Sequence, residues 1–378
     1  MSAPAALVIC AYNDEEYIER VVRAAVAQDL PGREIIVVDD CSSDGTSRIL
    51  EGISGITLLR NERNMGLGAT LTRGFQATTA PIVMSLHSDC LLGDPSWMSR
   101  MVRLFDDTTV GAVVSQRSYP RRDLLPLGAR LFDAVCPQQL KAKSGGAPME
   151  IDFFRGKADA YRREVIEKLG GWDRAFFTAG EDTDLSIKMR AAGYRILLHP
   201  EASVEYIFSS RQKTIGGGLS KALLYGQTAA LLYRRHRYDG LQTRTYLWCL
   251  LSLLCLLLPP RASLAASALL FLSSFNRQVA VHALRRRVPL GALYAVFLLA
   301  GLLLARATHA SLVEAEVVAM PAASLFLTTY ISLKNALRAW RDGEGLLLLP
   351  LLFCYSLVWH LQSGVGYLIG LLRLRGRR

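Results

Sequence analysis

The 378-residue chain is 51% hydrophobic and only 20% charged, with a mean hydropathy of +0.22 and 44 Lys+Arg against 33 Asp+Glu, a formal charge of +11. That composition excludes a disordered or collagen-like chain and is unusual for a purely soluble enzyme. The positive excess suits either nucleic acid or an anionic membrane surface, and the crowding of apolar residues into the C-terminal third favours the membrane.

The N-terminus has no basic leader and runs straight into a strand-like segment, so no cleaved signal peptide is expected and this part should stay in the cytoplasm. Within residues 1–210, short β-branched runs alternate with amphipathic stretches. Strands are expected at Ala5–Cys10, Glu34–Val38, Ile56–Leu59 and Ile82–Leu86, with helices over Glu15–Gln28 and from Thr46. Such alternation is the mark of an α/β domain with a parallel sheet. Pro31-Gly32 separates the first helix from the second strand.

Residues 211–240 read as an amphipathic helix region. Ser220–Arg237 carries apolar Leu223, Leu224, Leu231 and Leu232 and ends in Arg234, Arg235 and Arg237. Such a helix either lies in a membrane interface or packs on a soluble domain. Residues 241–378 are expected to form an all-α transmembrane region of about four to five spans. The apolar stretches are Tyr246–Leu258, Ala262–Ala280, Leu290–Ala305, Ala315–Leu333 and Leu346–Leu372. Arg285, Arg286 and Arg287, the Lys334/Arg338/Arg341 cluster and the arginine-rich end should all face the cytoplasm, which favours an even number of crossings. The last stretch, interrupted at Gln362-Ser363-Gly364, is then a partial or re-entrant element; the rival is five full spans with the basic tail outside. The seven cysteines are far apart, without Cys-x-x-Cys or zinc spacing, and read as reduced, mostly buried thiols.

Ligands of open parallel sheets bind beyond the carboxyl ends of the strands, and acidic residues collect there. After the first strand come Ala11, Tyr12, Asn13 and Asp14, an aromatic face and polar groups suited to a base. The second strand ends in Asp39-Asp40, adjacent carboxylates that are costly unless they bind a ligand or cap a helix. A glycine loop follows, Asn64-Met65-Gly66-Leu67-Gly68-Ala69, closed by Arg73-Gly74. It is no dinucleotide fingerprint, and no phosphate loop occurs in the chain. The next strand leads into His87-Ser88-Asp89. Trp172 either offers an apolar face to a sugar ring or packs in the core. Glu181-Asp182 opens a helix, where the pair either satisfies the helix dipole or works as an acid–base group.

The opening strand, the segment Val38-Asp39-Asp40-Cys41-Ser42-Ser43-Asp44-Gly45-Thr46 and the Asn64–Gly66 loop resemble the family 2 glycosyltransferases, which have the Rossmann-like GT-A fold, over about residues 5–205. The resemblance implies a nucleoside-diphosphate sugar donor, with Tyr12 and Asp40 flanking the nucleobase and Asp39 supporting them. Ala11, Asn13, Asn64 and Ser88 join that site, and Gly66 and Gly68 let the backbone approach the nucleotide. Asp89 stands at the second position of the family's Asp-x-Asp metal motif. One carboxylate with diphosphate oxygens and water is an adequate shell for Mg²⁺ or Mn²⁺. His87 stands where the first Asp is expected; it either ligates the ion or nucleotide or is a structural histidine.

By the same resemblance, Asp182 of the Glu181-Asp182 pair is the general base, and Trp172 lies on the acceptor side. A base favours a hydroxyl acceptor over a phosphate, and one in-line displacement inverts the anomeric centre. Arg211–Arg237 and the His360-Leu361…Gly364-x-Gly366 segment resemble, more loosely, membrane-bound members that build bacterial exopolysaccharides. The expectation is therefore a multi-pass inner-membrane glycosyltransferase with its catalytic domain in the cytoplasm. Its partners would be a nucleoside-diphosphate sugar, a lipid-linked or polysaccharide acceptor and membrane lipids, not nucleic acid. A polyprenyl-phosphate sugar synthase, or a catalytically reduced sugar-nucleotide-binding subunit suggested by His87, are the competing readings.

Overall fold

The computed structural model describes residues 4–118, 125–136, 146–154, 157–177, 179–208, 213–237 and 348–375, with short pieces between 332 and 339. The chain divides into two units, Met1–Thr214 and Ile215–Arg378. The helix region expected at 211–240 belongs almost wholly to the second.

In the first unit, β1 (Ala5–Ala11), β2 (Glu34–Asp39), β3 (Thr57–Arg60) and β4 (Ile82–His87) are linked by helices α1 (Ile18–Val26), α2 (Thr46–Glu51) and α3 (Leu67–Gln76). They form a parallel half-sheet in the order β3-β2-β1-β4. The central strands β1 and β2 are unbroken apolar runs because both faces are covered. Helix α1 buries Ile18, Val21, Val22 and Ala25, the stripe expected of a helix lying on a sheet. It starts three residues later than the sequence suggests, because Tyr17 and Ile18 both donate to the Asp14 carbonyl in a turn that precedes it. Helix α3 presses so closely on the sheet that a Cβ on Gly74 would stand 2.3 Å from a Val8 methyl.

The chain continues through β5 (Cys90–Leu92), α4 (Trp97–Arg103), β6 (Val110–Ser118), α5 (Leu127–Val135), β7 (Met149–Glu150), β8 (Ala158–Arg162), α6 (Arg163–Lys168), α7 (Glu181–Ala191) and β9 (Arg195–Tyr206). The sheet order is β3-β2-β1-β4-β8-β6-β9-β5, with β7 on β9. The expectation of a parallel sheet is corrected: β8 runs antiparallel to both of its neighbours, β4 and β6, so the sheet is mixed. The Ala-Asp-Ala-Tyr-Arg sequence of β8 gives no local sign of direction. Helices α3, α6 and α7 share one core cluster with the sheet, including Val8, Val38, Phe75, Tyr161, Trp172, Leu185 and Met189.

In the second unit, α8 (Ile215–His236) and α9 (Leu349–Arg375) lie side by side. Tyr225 meets Trp359, Gly226 meets Ser363 and Gly366, and Gly370 meets Ala230, so the two helices run parallel. Their backbones touch: a Cβ on Gly226 or Gly366 would come within 2.1 Å of a carbonyl oxygen of the other helix. Such contact through small residues is typical of helix pairs in lipid. Two expectations change here. Helix α9 passes without a break through Gln362-Ser363-Gly364, where an interruption was expected; Ser363 and, just beyond, Gly366 lie at the contact with α8. Helix α8 buries a line of small residues, Gly218, Ala222, Gly226, Ala229 and Ala230, together with Leu232, whereas Leu224 is exposed. The apolar stretches at 246–258, 262–280, 290–305 and most of 315–333 lie outside the described residues. Among the described residues no helix is long and apolar enough to cross a membrane. Cys10, Cys41, Cys90, Cys136 and Cys354 are free thiols, but only Cys90 is fully buried and Cys354 is exposed.

Candidate active site

Strand register brings the carboxyl ends of three strands together. Ala11 pairs with Asp39, and Cys10 lies between Val38 and His87. Tyr12, Asp40, Ser88 and Asp89 therefore leave the sheet from neighbouring strands along one edge.

The loops after β1 and β2 are laced to each other. The Asn13 N–H donates to the Ser42 hydroxyl (3.0 Å), the Ser43 N–H to Asn13 Oδ1 (2.8 Å), the Asp14 N–H to Thr46 Oγ1 (2.8 Å) and the Gly45 N–H to the Glu15 carboxylate (2.6 Å). Asn13 and Cys41 have φ of 56° and 64°, left-handed values that bonds of this kind hold in place. Ala11 contributes its carbonyl, which accepts from the Asp40 N–H at 2.8 Å. The Tyr12 side chain stays 47% exposed at this edge.

Asp39 and Asp40 are both buried. Asp39 accepts from the Ser42 N–H (2.9 Å) and the Ser47 hydroxyl and pairs with Arg60 at 3.5 Å, which fixes the turn into α2. Asp40 accepts from Asn61 Nδ2 (2.6 Å), the Met65 N–H (2.8 Å) and the Gly66 N–H (2.9 Å), and so shapes the glycine loop. Asn64 Oδ1 takes the Gly66 N–H as well, at 3.1 Å. Helix α3 begins at Leu67, so the glycine loop is shorter than the sequence suggests. Gly66 has φ of 81°, and a Cβ there would stand 2.6 Å from the Phe177 carbonyl oxygen; on Gly68 it would stand 3.3 Å from that of Asp173. In this structure the two glycines admit the 173–177 backbone, which leads into α7.

The β4 end places His87, Ser88 and Asp89 in sequence. The Asp89 side chain is 16% exposed, and Lys157 Nζ stands 2.6 Å from its Oδ2. Lys157 also accepts the His87 N–H at its carbonyl (2.8 Å) and lies over the Tyr206 ring, 5.0 Å from the centroid. Ser88 hydrogen-bonds Asp14, whose carboxyl is raised above its ordinary value by burial despite bonds from Ser88, the Tyr12 N–H and the Tyr17 hydroxyl. From the sequence Asp14 reads only as one of the polar groups after the first strand, and Lys157 is given no role. Lysine is common in loops, and nothing in its neighbours marks this one as facing an acid 68 residues away.

At the start of α7, Gly180 adopts φ of 94° and sets the acid pair at the helix N-terminus. Glu181 is buried and Asp182 half-buried. Burial, then the neighbouring charge of Asp182, holds the Glu181 carboxyl well above the usual range, opposed by its backbone hydrogen bond and by Lys157. Asp182 Oδ1 accepts the Thr183 N–H at 2.6 Å, and the Asp182 carbonyl accepts from Ser186 at 2.8 Å. The convergence shows at Cys10: its thiol is pushed up by burial and by the charges of Asp40, Glu181 and Asp14, groups that come from three different segments.

Trp172 does not present a face for an acceptor sugar. It is 5% exposed and packs edge-on against Tyr161 (5.4 Å) and Phe75 (5.8 Å), so the core alternative holds. Among the described residues, no group of three or more His, Cys, Asp and Glu side chains is arranged to hold a metal ion by itself. Asp89 by itself offers a hard divalent ion a weak hold, which a ligand's phosphate oxygens would complete.

Two family models match the chain. A model described as glycosyl transferase family 2 matches residues 6–170, and one described as glycosyl transferase family group 2 matches residues 141–361, more than half of the chain. The chain belongs to the family 2 glycosyltransferases, with the mixed α/β GT-A fold. It is 28% identical over 206 residues to the O-antigen chain rhamnosyltransferase RfbN of Salmonella typhimurium, covering 53% of this chain and 65% of that protein. It is 28% identical over 249 residues to the succinoglycan biosynthesis protein ExoO of Rhizobium meliloti, covering 62% and 69%. The chain spans 49–65% of the length of several curated relatives that it matches. Among solved structures, the mannosyltransferase of Pyrobaculum calidifontis in complex with GDP-Man and Mn²⁺ is similar at 20% identity and a TM-score of 0.48, covering 86% of this chain and 88% of that one.

The raised Glu181 carboxyl gives a pH test. The folded protein holds this proton more tightly than the unfolded chain does, so the associated stability is full below the ordinary value of 4.5 and is lost as pH rises through the folded value. Glu181→Gln is expected to gain on the parent in thermal unfolding as pH rises from 5 to 9, on the order of one pKa unit's worth of linkage or more. A melting-temperature difference that is the same at every pH would contradict the assignment.

Proposed function

We propose that the protein is a membrane-bound inverting glycosyltransferase that moves a sugar from a nucleoside-diphosphate sugar to a hydroxyl of a lipid-linked or polysaccharide acceptor. The observation that carries this reading is the gathering of Tyr12, Asp40, Asp89 and the Glu181-Asp182 pair at the carboxyl edge of one sheet, in a chain of this family. Work on O-antigen and succinoglycan, named for two relatives, supports a polysaccharide-type acceptor.

In this reading the exposed Tyr12 ring stacks on the nucleobase. Asp40 keeps the Asn64–Gly66 loop in shape beside it, and Asp39 holds the turn beneath. The diphosphate lies toward Ser88 and Asp89. Asp89 would hold Mg²⁺ or Mn²⁺, which when bound screens the charge that grows on the leaving diphosphate.

Asp182, half-buried at the start of α7, takes the acceptor's hydroxyl proton. The acceptor oxygen bonds to the anomeric carbon as the bond from that carbon to the diphosphate oxygen breaks, and the electron pair leaves with the diphosphate. Attack from the face opposite the leaving group inverts the centre. Glu181 keeps its own proton, so it adds no second negative charge beside the base.

The apolar stretches of residues 241–378 and the small-residue contact of α8 with α9 support the membrane reading. On this proposal the protein sits in the inner membrane with the active site on the cytoplasmic side, close to acceptors carried on lipid.

Asp182→Asn is expected to lower turnover about 10²–10⁴-fold while nucleoside-diphosphate affinity stays within twofold, read by diphosphate release from UDP-, GDP- and dTDP-sugars with and without Mn²⁺. Full activity in this variant would remove Asp182 as the base. The protein should also stay in the membrane fraction through an alkaline carbonate wash, and its recovery in the wash would refute the integral-membrane proposal.

A further inference from the structure

Lys157 is placed where the charges of the site meet. Its ammonium stands 2.6 Å from Asp89 Oδ2, and the two side chains are 17% and 16% exposed, covered yet reachable from the edge. Its main chain is tied to the same turn, since the His87 N–H donates to the Lys157 carbonyl at 2.8 Å. The same ammonium draws down the raised Glu181 carboxyl, so its field extends to the acid pair. It also lies over the Tyr206 ring, a cation–π contact of modest strength.

A carboxylate already paired with an ammonium offers a divalent cation little net charge, and the cation meets a like charge beside it. An incoming diphosphate changes that balance. Its oxygens can take the three N–H groups of a lysine on a flexible stem, which releases the carboxylate. We propose that Lys157 is a donor-binding residue that exchanges partners: it neutralises Asp89 in the free protein and moves to the diphosphate when donor binds, leaving Asp89 to the divalent cation. The inference rests on the reading of this edge as the donor site. It also gives a physical sense to His87, because a site with one carboxylate and one lysine has less negative charge to neutralise than a site with two carboxylates.

The exchange makes two predictions of opposite sign, which a merely structural lysine would not make. With the full-length protein in detergent, Mn²⁺ binding is followed by the free-ion electron paramagnetic resonance signal, and UDP, GDP and dTDP binding is followed by calorimetry in EDTA. Lys157→Met is expected to bind Mn²⁺ about tenfold more tightly without nucleotide and to bind the preferred nucleotide about tenfold more weakly in EDTA. Lys157→Arg should recover nucleotide binding. Unchanged or weaker Mn²⁺ binding in Lys157→Met, or unchanged nucleotide binding in EDTA, overturns the exchange. Should Lys157→Met fail to fold, Asp89→Asn decides: it should lose Mn²⁺ while holding nucleotide in EDTA at least as tightly as the parent, and loss of nucleotide there overturns the exchange. If the parent protein binds none of UDP, GDP and dTDP under any condition, the donor-site reading itself falls, and the exchange falls with it.

Discussion

A carboxylate taken out of water must find hydrogen-bond donors, find a cation or keep its proton. The carboxyl edge of this sheet uses all three solutions. Asp39 and Asp40 are buried and receive N–H and hydroxyl groups from the loops around them. Asp89 receives the Lys157 ammonium. Glu181, with a charged neighbour and little water, has its carboxyl held above the usual range. Asp182, less buried and at a helix N-terminus, is left as the more reachable acid of the pair. The division of labour follows from burial and partners, and on the proposed reading it separates the residues that build the site from those that meet substrate.

The glycines couple the two halves of that site. Asp40 fixes the loop that ends at Gly66, and Gly66 and Gly68 let the 173–177 backbone pass within contact distance before α7 begins. A Cβ at Gly66 would push against the Phe177 carbonyl and ring, which stand five residues or fewer before the acid pair. The glycine loop and the segment before α7 therefore rest on each other. On the proposed reading, a change in one would disturb the alignment of donor and base.

Much of this was legible in the sequence because the parallel half of the fold writes itself locally. The apolar runs of β1, β2 and β4 end in polar turns, and the acids after them fall at strand ends by that fact alone. Asp39 and Asp40 drew notice as adjacent carboxylates, but the sequence could not say that both would be consumed by their own loops, since their donors, Met65, Gly66, Asn61 and Ser47, are set by tertiary packing. The direction of β8 is a matter of how distant segments pair. Trp172 reads equally as a sugar platform or a core residue until Tyr161 and Phe75 are seen against it. The Gln362-Ser363-Gly364 segment looks like a break, yet Ser363, with Gly366 and Gly370 beyond it, fits α9 to α8. Lys157 carries no local signal, and its significance lies entirely in facing Asp89.

The account comes down to where a donor lodges. A structure of the full-length protein with Mn²⁺ and the nucleoside-diphosphate sugar it prefers tests this most directly. The account places the base against Tyr12 and the Asp40-held loop, the diphosphate within reach of Asp89 and Lys157, and the anomeric carbon facing Asp182. Density for the donor away from this edge, with the Tyr12, Asp89 and Asp182 side chains untouched, would contradict it.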